Sequence, residues 1–428
     1  MVLLGAVYRF KNLYQIRAQS INHPLSLLKK EGKYLLPVIY FPKMKYLILI
    51  LTLTFWTADL RAQISDDIDI SGYLQGMPVW INAELPEPIG EDSFWEYRLQ
   101  NRLNVRWYMS SDFTFNWQMR TRFFAGDLVN EIPFYAQAID VDDGYFDLSW
   151  MMVEQDSWLL HYIPDRLNVE WDRNDWRITA GRQRINWGIN TVTNPNDLFN
   201  IYSFYDFDYP ERPGTDAIRI QHFIDWASRV EVAFRPAKDM RNSVAAGMYA
   251  FNTSGYDVQL ITGYYQNRWT VGGGWAGSID QTGFKGELMV FVDAEKENGS
   301  RENNLVAAIS ADHMFDNSLF LIVEALYNKE GGRDDFLLLG EPLSADNPSF
   351  SRYQVTTQVN YPISPIVNGS LAGIYYPDED AVFISPSITW SVTQNTDFNI
   401  LTQLFVGSDD SAFSNAGNVV AASLKWNF

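Results

Sequence analysis

The chain is predicted to be all-β, a transmembrane antiparallel β-barrel of about 18 strands, with 16 or 20 as the neighbouring solutions. Three observations predict it. Segments of about ten to fourteen residues alternate apolar and polar side chains with period two along most of the chain. The connections between them are short and long by turns, and the last segment carries an apolar face that ends on the terminal Phe428. Composition agrees: 46% of the 428 residues are apolar, 65 are aromatic (15 Trp, 23 Tyr, 27 Phe) and none is cysteine. That excludes disulfide scaffolds, thiolate metal sites and cysteine nucleophiles. A formal charge of −19 argues against nucleic acid as a partner, because affinity for phosphates rests on clustered Lys and Arg.

The most apolar run, Tyr46–Trp56, follows Lys43 and Lys45 and precedes Ala58-Asp59-Leu60-Arg61-Ala62. It is too short for a helix that crosses a bilayer, which needs about 20 residues. A basic flank, a short apolar run and a small residue at Ala62 read as an export signal over 44–62, cleaved after Ala62, with Met44 as the start. Residues 1–43 show no periodic pattern and read as a mis-assigned upstream extension, which leaves 63–428 as the barrel.

Within 63–428, Phe113, Phe115, Trp117, Met119 and Phe123 share one face of a strand, and Thr114, Asn116, Gln118, Arg120 and Arg122 share the other. Before it, Leu99, Leu103, Val105, Trp107 and Met109 alternate with Gln100, Arg102, Asn104 and Arg106 across the turn Ser110-Ser111-Asp112. The same pattern marks strands near 66–77, 97–110, 112–124, 165–173, 175–187, 214–223, 226–236, 243–252 and 255–266. It continues at 269–279, 282–293, 302–314, 317–329, 349–361, 365–376, 381–391, 396–407 and 417–428. These lengths suit tilted strands that cross a bilayer, which take about 9–11 residues.

Connection lengths test the topology independently. With Phe428 at the inner rim, Ser111, Asn174, Thr253-Ser254, Asp280-Gln281, Asp316-Asn317, 362–364 and 393–395 are inner turns, and all are brief. The long segments 78–96, 125–164, 188–213 and 330–348 then all fall outside, as expected for such barrels. Within 125–164, Tyr145–Met152 and Trp158–Tyr162 could form one more hairpin, so the count is 18 or 20.

The two faces have different jobs. Apolar side chains meet lipid, and the aromatic excess fits a girdle at the headgroups, with Trp107, Tyr108, Trp176, Phe398 and Trp426 at the inner rim. Residues 1–62 hold nine of the 33 basic and two of the 52 acidic groups, so 63–428 has 24 and 50, a net −26. Nineteen of those 24 are arginines. Arg102, Arg106, Arg120, Arg122, Arg177, Arg219, Arg229 and Arg235 fall on the polar face, so a lumen lined by guanidinium groups and preferring anions is one expectation. Glu170, Asp172 and Glu231 point the same way, and lumen ion pairs that stiffen the wall are the other. Acidic groups concentrate in the outer connections, giving a negative mouth and a positive interior.

In Val420–Phe428, VAASLKWNF, alternate residues form an apolar face that ends in Phe. This closely resembles the terminal signal of Gram-negative outer-membrane proteins, which implies the barrel-assembly machinery as a partner. Gly181–Phe199 reads GRQRINWGINTVTNPNDLF and is followed by Arg212-Pro213-Gly214. It resembles a segment of porin-like outer-membrane families, in which a G-R-Q and W-G strand leads into an N-P-x-D-L loop and a P-G turn. The likeness covers about 35 residues. It implies a passive channel or porin-like transporter with the substrate unspecified; an outer-membrane channel for small solutes, in contact with outer-membrane lipid and lipopolysaccharide and with a homotrimer as one open assembly, is the expectation drawn from the whole pattern.

Trp176, Ile178 and Ala180 alternate on the lipid side, yet Arg182 and Arg184 continue the same parity. Either the strand has ended above the bilayer or a bulge near Gly181 switches the faces; the bulge is expected, with both arginines inside. The loop 188–213 that follows is expected to fold inward as a constriction, carried by Asn194, Asp197, Phe199, Tyr202 and Tyr205, whose aromatics could stack on a sugar or fatty solute. A selective transporter of a hydrophobic or carbohydrate ligand and a structural or adhesive barrel are the alternatives. No enzyme is expected: His161, His222 and His313 lie in no nucleophile motif such as G-x-S-x-G. Asp140-Val141-Asp142-Asp143-Gly144 opens like a calcium loop but lacks its spaced final Glu, so no cofactor or metal is expected.

Overall fold

The computed structural model describes residues 63–85, 90–132, 134–201, 203–207, 209, 211–295, 303–331, 343–408, 411, 413 and 417–428. The signal and extension readings for 1–62 and Tyr202 of the expected constriction lie outside the described residues. The ladder closes on itself through 18 antiparallel strands. In chain order the segments are β1 (Gln63–Ser65), β2 (Ile68–Leu85), β3 (Gly90–Tyr108), β4 (Phe113–Gly126), β5 (Trp150–Gln155), β6 (Trp158–Arg173), β7 (Trp176–Gln183), β8 (Thr215–Phe223), β9 (Arg229–Arg235) and β10 (Val244–Thr253). They continue with β11 (Tyr256–Tyr265), β12 (Arg268–Ile279), β13 (Thr282–Asp293), β14 (Asn304–Met314), β15 (Phe320–Asn328), β16 (Tyr353–Ser364), β17 (Val367–Tyr376), β18 (Ala381–Thr393), β19 (Thr396–Gly407) and β20 (Asn418–Asn427).

Each strand pairs with its sequence neighbour, except that β4 passes over β5 to pair with β6, and β20 closes the sheet on β2. β1 is a short appendage on β2, and β5 is a hairpin partner of the outer end of β6 alone, so neither adds to the wall. Closure is completed by paired backbone bonds between Phe428 and Gly72, both 3.0 Å. Closure removes the end strands of the sheet, as a bilayer demands, while residues 163–166 of β6 remain paired on the β4 side alone.

The wall is tallest at β2 and β3, of 18 and 19 residues, where Ile68–Leu85 and Gly90–Tyr108 stay paired across positions that the sequence pattern assigned to a loop over 78–96. Gly76 and Pro78 interrupt the period-two pattern at that point. Between β4 and β5 the chain forms two short helices, α1 (Asp127–Glu131) and α2 (Tyr135–Ile139), which fold into the mouth. The hairpin considered for Tyr145–Tyr162 exists as β5 and the outer part of β6, and the wall count stays at 18.

The outward face is apolar throughout, with Leu260, Val271, Trp269, Ile309 and Leu371 among its exposed residues. The inward face is not uniformly polar, and this departs from the expectation of a polar lining. In its inner half it carries Asn104, Asn116, Asn168, Asp257, Lys285, Asp312 and Asn368. In its outer half it turns apolar, with Met248, Ile261, Met289, Phe291, Val306 and Leu326 on β10–β15 and Ile374, Tyr376, Phe383 and Phe405 on β17–β19. Met77, Val79, Ile81, Phe94 and Phe124 complete the ring. Apolar surface inside a wide barrel must be covered, and at about 25 cal/mol per Å² its burial drives segments from the outer connections into the mouth.

Candidate functional site: the inner loop and its anchoring belt

Residues 184–214 leave the top of β7, run along the inside of the wall and return to β8. Asn200 ties the two ends of the segment, accepting from the Ile185 amide at 2.7 Å and donating to the Pro213 carbonyl at 2.9 Å. Trp187 is buried, donates from Nε1 to Glu231 on β9 at 3.0 Å, and packs edge-on against Phe199. Glu287 on β13 then accepts the backbone amides of Ile189, Asn190 and Asn196, and Glu324 on β15 accepts those of Val192 and Thr193. Gln354 on β16 bonds Thr193, Tyr205 meets the Tyr376 hydroxyl on β17, and Gln403 on β19 donates to the Tyr205 carbonyl at 2.9 Å. Tyr209 donates to Asp165 on β6, and the Tyr73 hydroxyl on β2 reaches Glu211. In this order the loop touches the wall nearly all the way round.

Lumen-facing polar residues at mid-height thus form a belt whose partners are the loop's own backbone groups. A turnless loop buries amides that must find acceptors. Two carboxylates set into otherwise apolar strand segments supply them, five amides between them. Glu287 and Glu324 were missed by the sequence reading. Their signal is a lone acid on the lumen parity of an apolar run, Leu288-Met289-Val290-Phe291 beside one and Leu321-Ile322-Val323 beside the other.

Among the expected constriction residues, Asn194 and Asp197 line a cavity of about 40 Å³ together with Thr193, Arg212, Gln354 and Tyr205. Phe199 and Tyr205 are buried against the wall clusters, so their rings fasten the loop and do not face a passage. Asp197 is 3% exposed with Oδ1 unpartnered, and both side-chain atoms of Asn196 lack a partner as well. Burial, followed by the Glu287 charge, raises the Asp197 carboxyl to about 8. The packed loop therefore takes up a proton that an exposed carboxylate, near 4, would not. Loop packing is strongest below pH 4, weakens as pH rises toward 8 and is level above that. Conductance fluctuations should accordingly grow between pH 5 and pH 8 and flatten beyond, and Asp197→Asn should lessen the slope. An unchanged slope in that variant would refute the assignment.

The arginines fall into distinct settings. Arg102 and Arg120 are buried on Asp165, with Arg120 stacked over the Tyr209 ring at 3.3 Å. Arg122 is buried and donates to His161. Arg219 and Arg229 share Glu231, Arg177 pairs with Asp172, and Arg182 pairs with Asp142 and Asp216. Arg106 is exposed beside Asn116, Arg235 donates to the Asn242 carbonyl, and Arg184 is half-buried with Nε unpartnered. The ion-pair expectation thus describes most of the set.

The bulge expected at Gly181 is absent. The β7 ladder runs without a shift from Leu167↔Arg182 to Arg173↔Trp176, and from Trp176↔His222 to Gln183↔Thr215. Arg182 keeps the lipid-side parity of Trp176 and Ile178, and is buried because residues 142–146 cover it. The bulge lies one strand away, on β6, where Gln118↔Arg166 is followed by Met119↔Pro164 and Asp165 is the extra residue.

Ser149, His161 and Asp140 stand together, with Oγ 2.7 Å from His161 Nε2 and 2.5 Å from Asp140 Oδ1. In this trio the imidazole does not accept the Ser149 proton. Arg122 can only donate, so His161 Nδ1 accepts and its proton sits on Nε2; Ser149 then accepts from His161 and donates to Asp140. The imidazole is thus a donor to Ser149, and the hydroxyl hydrogen faces the Asp140 carboxylate.

No protein-family model matches the chain, and no curated protein does. Its likeness is to solved barrels. OccAB4 of Acinetobacter baumannii superposes with a TM-score of 0.53 at 8% identity, over 86% of this chain and all of that one. A triple mutant of the Rhodopseudomonas blastica porin does so at 0.45 and 12%, over 84% of this chain and all of that one. The first likeness shows the fold alone, an 18-stranded porin-like barrel.

Proposed function

We propose that the chain is an outer-membrane channel for passive diffusion of small solutes, narrowed by the 184–214 loop and preferring anions. The observation that carries this is the loop itself, held inside a closed barrel by a belt of wall residues at mid-height. A selectivity element is set where the passage is narrowest. At that height the wall from β3 to β9 and the loop's ends bring together Arg102, Arg120, Arg122, Arg166, Arg184 and Arg212 with Asp165, Glu211 and Asp197, and Arg219 and Arg229 with Glu231. Glu287 and Glu324 across the lumen are engaged by loop amides. In this reading the partners are outer-membrane lipid and lipopolysaccharide around the wall, the barrel-assembly machinery at the last strand, and further copies in a trimer.

The test is single-channel recording in a planar bilayer with a potassium chloride gradient. The reversal potential should carry the sign of chloride preference; potassium preference would overturn the arginine assignment, and absence of conductance would overturn the channel.

A further inference from the structure

The barrel wall is incomplete on one side. β7, β8 and β9 have 8, 9 and 7 residues, against 18 and 19 for β2 and β3. On β6, residues 163–166 pair with β4, but on their other edge β5 stops at Tyr162 and β7 begins at Leu167. The break falls where the sequence permits it: Pro164 has no amide to leave unpaired. The exposed carbonyls there are capped by side chains, Pro164 by Arg182 Nη1 at 3.4 Å and Asp165 by Arg166 at 2.8 Å.

The break lies within the bilayer. Arg182 follows Trp176 by six residues, which at about 3.3 Å per residue and a tilt of about 40° puts it roughly 15 Å above the Trp176 girdle, inside an apolar band about 25 Å tall. What stands in for the missing wall is the segment 140–149. It is pinned by Asp142 on Arg182, by the Phe146 amide on Asp216 at 2.9 Å, and by the Ser149–His161 bond. Its outer surface exposes Tyr145 and Phe146 beside Trp150, Met152 and Ile218, with the carboxylates of Asp143 and Asp147 exposed among them. Behind it lie Arg166, Arg182 and the unpartnered Nε of Arg184. Aromatic side chains outside and guanidinium groups inside are complementary to an amphiphile with an anionic head.

We propose that this break is a lateral portal through which an alkyl amphiphile with an anionic head passes between the outer leaflet and the lumen, its head exchanging for Asp142 or Asp216 on Arg182. The inference rests on the membrane-barrel reading but not on free diffusion of small solutes.

The absence of native cysteine makes a reversible tether clean. A side chain at Gly144 would lie against Asp216, so G144C with D216C can close the segment over the break. The probe is a pyrene-labelled alkyl sulfonate, which stays ionised and does not cross bare lipid, added outside proteoliposomes holding an interior quencher. Transfer should be slower by roughly tenfold in the oxidised variant and recover on reduction, as expected when a lid gates passage. Phe146→Asp, at an exposed position that does not threaten folding, should slow transfer as well. Equal rates in the oxidised and reduced forms, including no transfer in either, or wild-type transfer by F146D, would overturn the portal. Small-ion conductance recorded in parallel should ignore the tether; its loss in all forms would remove the diffusion reading and leave the portal result standing.

Discussion

Replacing Glu287 and Glu324 together by alanine should widen the channel, raising single-channel conductance by about twofold or more and admitting larger sugars in a liposome-swelling assay. The two carboxylates accept five backbone amides of the inner loop. Bonds to charged acceptors contribute about 1.5–3 kcal/mol each, and amides left buried without a partner cost about 1–3 kcal/mol apiece. Against that loss the loop keeps Trp187 on Glu231, Tyr205 on Tyr376 and Tyr209 on Asp165, so the middle, 189–196, should detach while the ends hold. The barrel's own ladder is untouched, and the double variant should still fold and insert. Glutamine at both positions should give a smaller effect, because its carbonyl oxygen can accept part of the set. Unchanged conductance and an unchanged size cut-off in the alanine variant would mean that the loop does not define the passage.

Much of the fold was legible because a membrane barrel writes a period-two code that nothing else in the chain needs. The closed sheet of Val230–Phe234, Val355–Val359 or Phe398–Val406 shows lipid-side and lumen-side residues in strict alternation. The code fails where lipid is absent. Above the bilayer β2 and β3 continue through Met77-Pro78 and Phe94–Tyr97, where inward residues are also apolar because the helices α1 and α2 pack on them. At β7 the alternation leads to an arginine, and the sequence cannot say that residues from 40 positions away will cover it. The inner loop was legible as a loop, since Asn-Pro-Asn-Asp cannot continue a strand. Its anchors were not, because Glu287 and Glu324 lie about 90 to 130 residues further on, and only closure of the sheet brings them beneath its amides.

Asp165 is the acid whose removal should cost most. It is the residue inserted by the β6 bulge, and the bulge turns it into the lumen, where it pairs with Arg102 and Arg120 and accepts from the Tyr209 hydroxyl. All three partners are almost fully buried. Asp165→Ala would leave two guanidinium groups in the interior with one carboxylate fewer and would free Tyr209 at the returning end of the loop. Breaking a buried pair by deleting one partner typically destabilises by about 3–5 kcal/mol, because the remaining charge stays desolvated. The expected result is a marked fall in the temperature at which the folded barrel loses its compact band on a heat-modifiability gel. Asp165→Asn should recover part of that loss, since an amide oxygen can still accept from Arg102 and Tyr209 but carries no charge. Reversal potential should move further toward chloride in the asparagine variant, as positive charge at the narrowest level goes uncompensated. A gel transition like that of the wild type in the alanine variant would show that water reaches the cluster, and a reversal potential that does not move would place the cluster away from the path of ions.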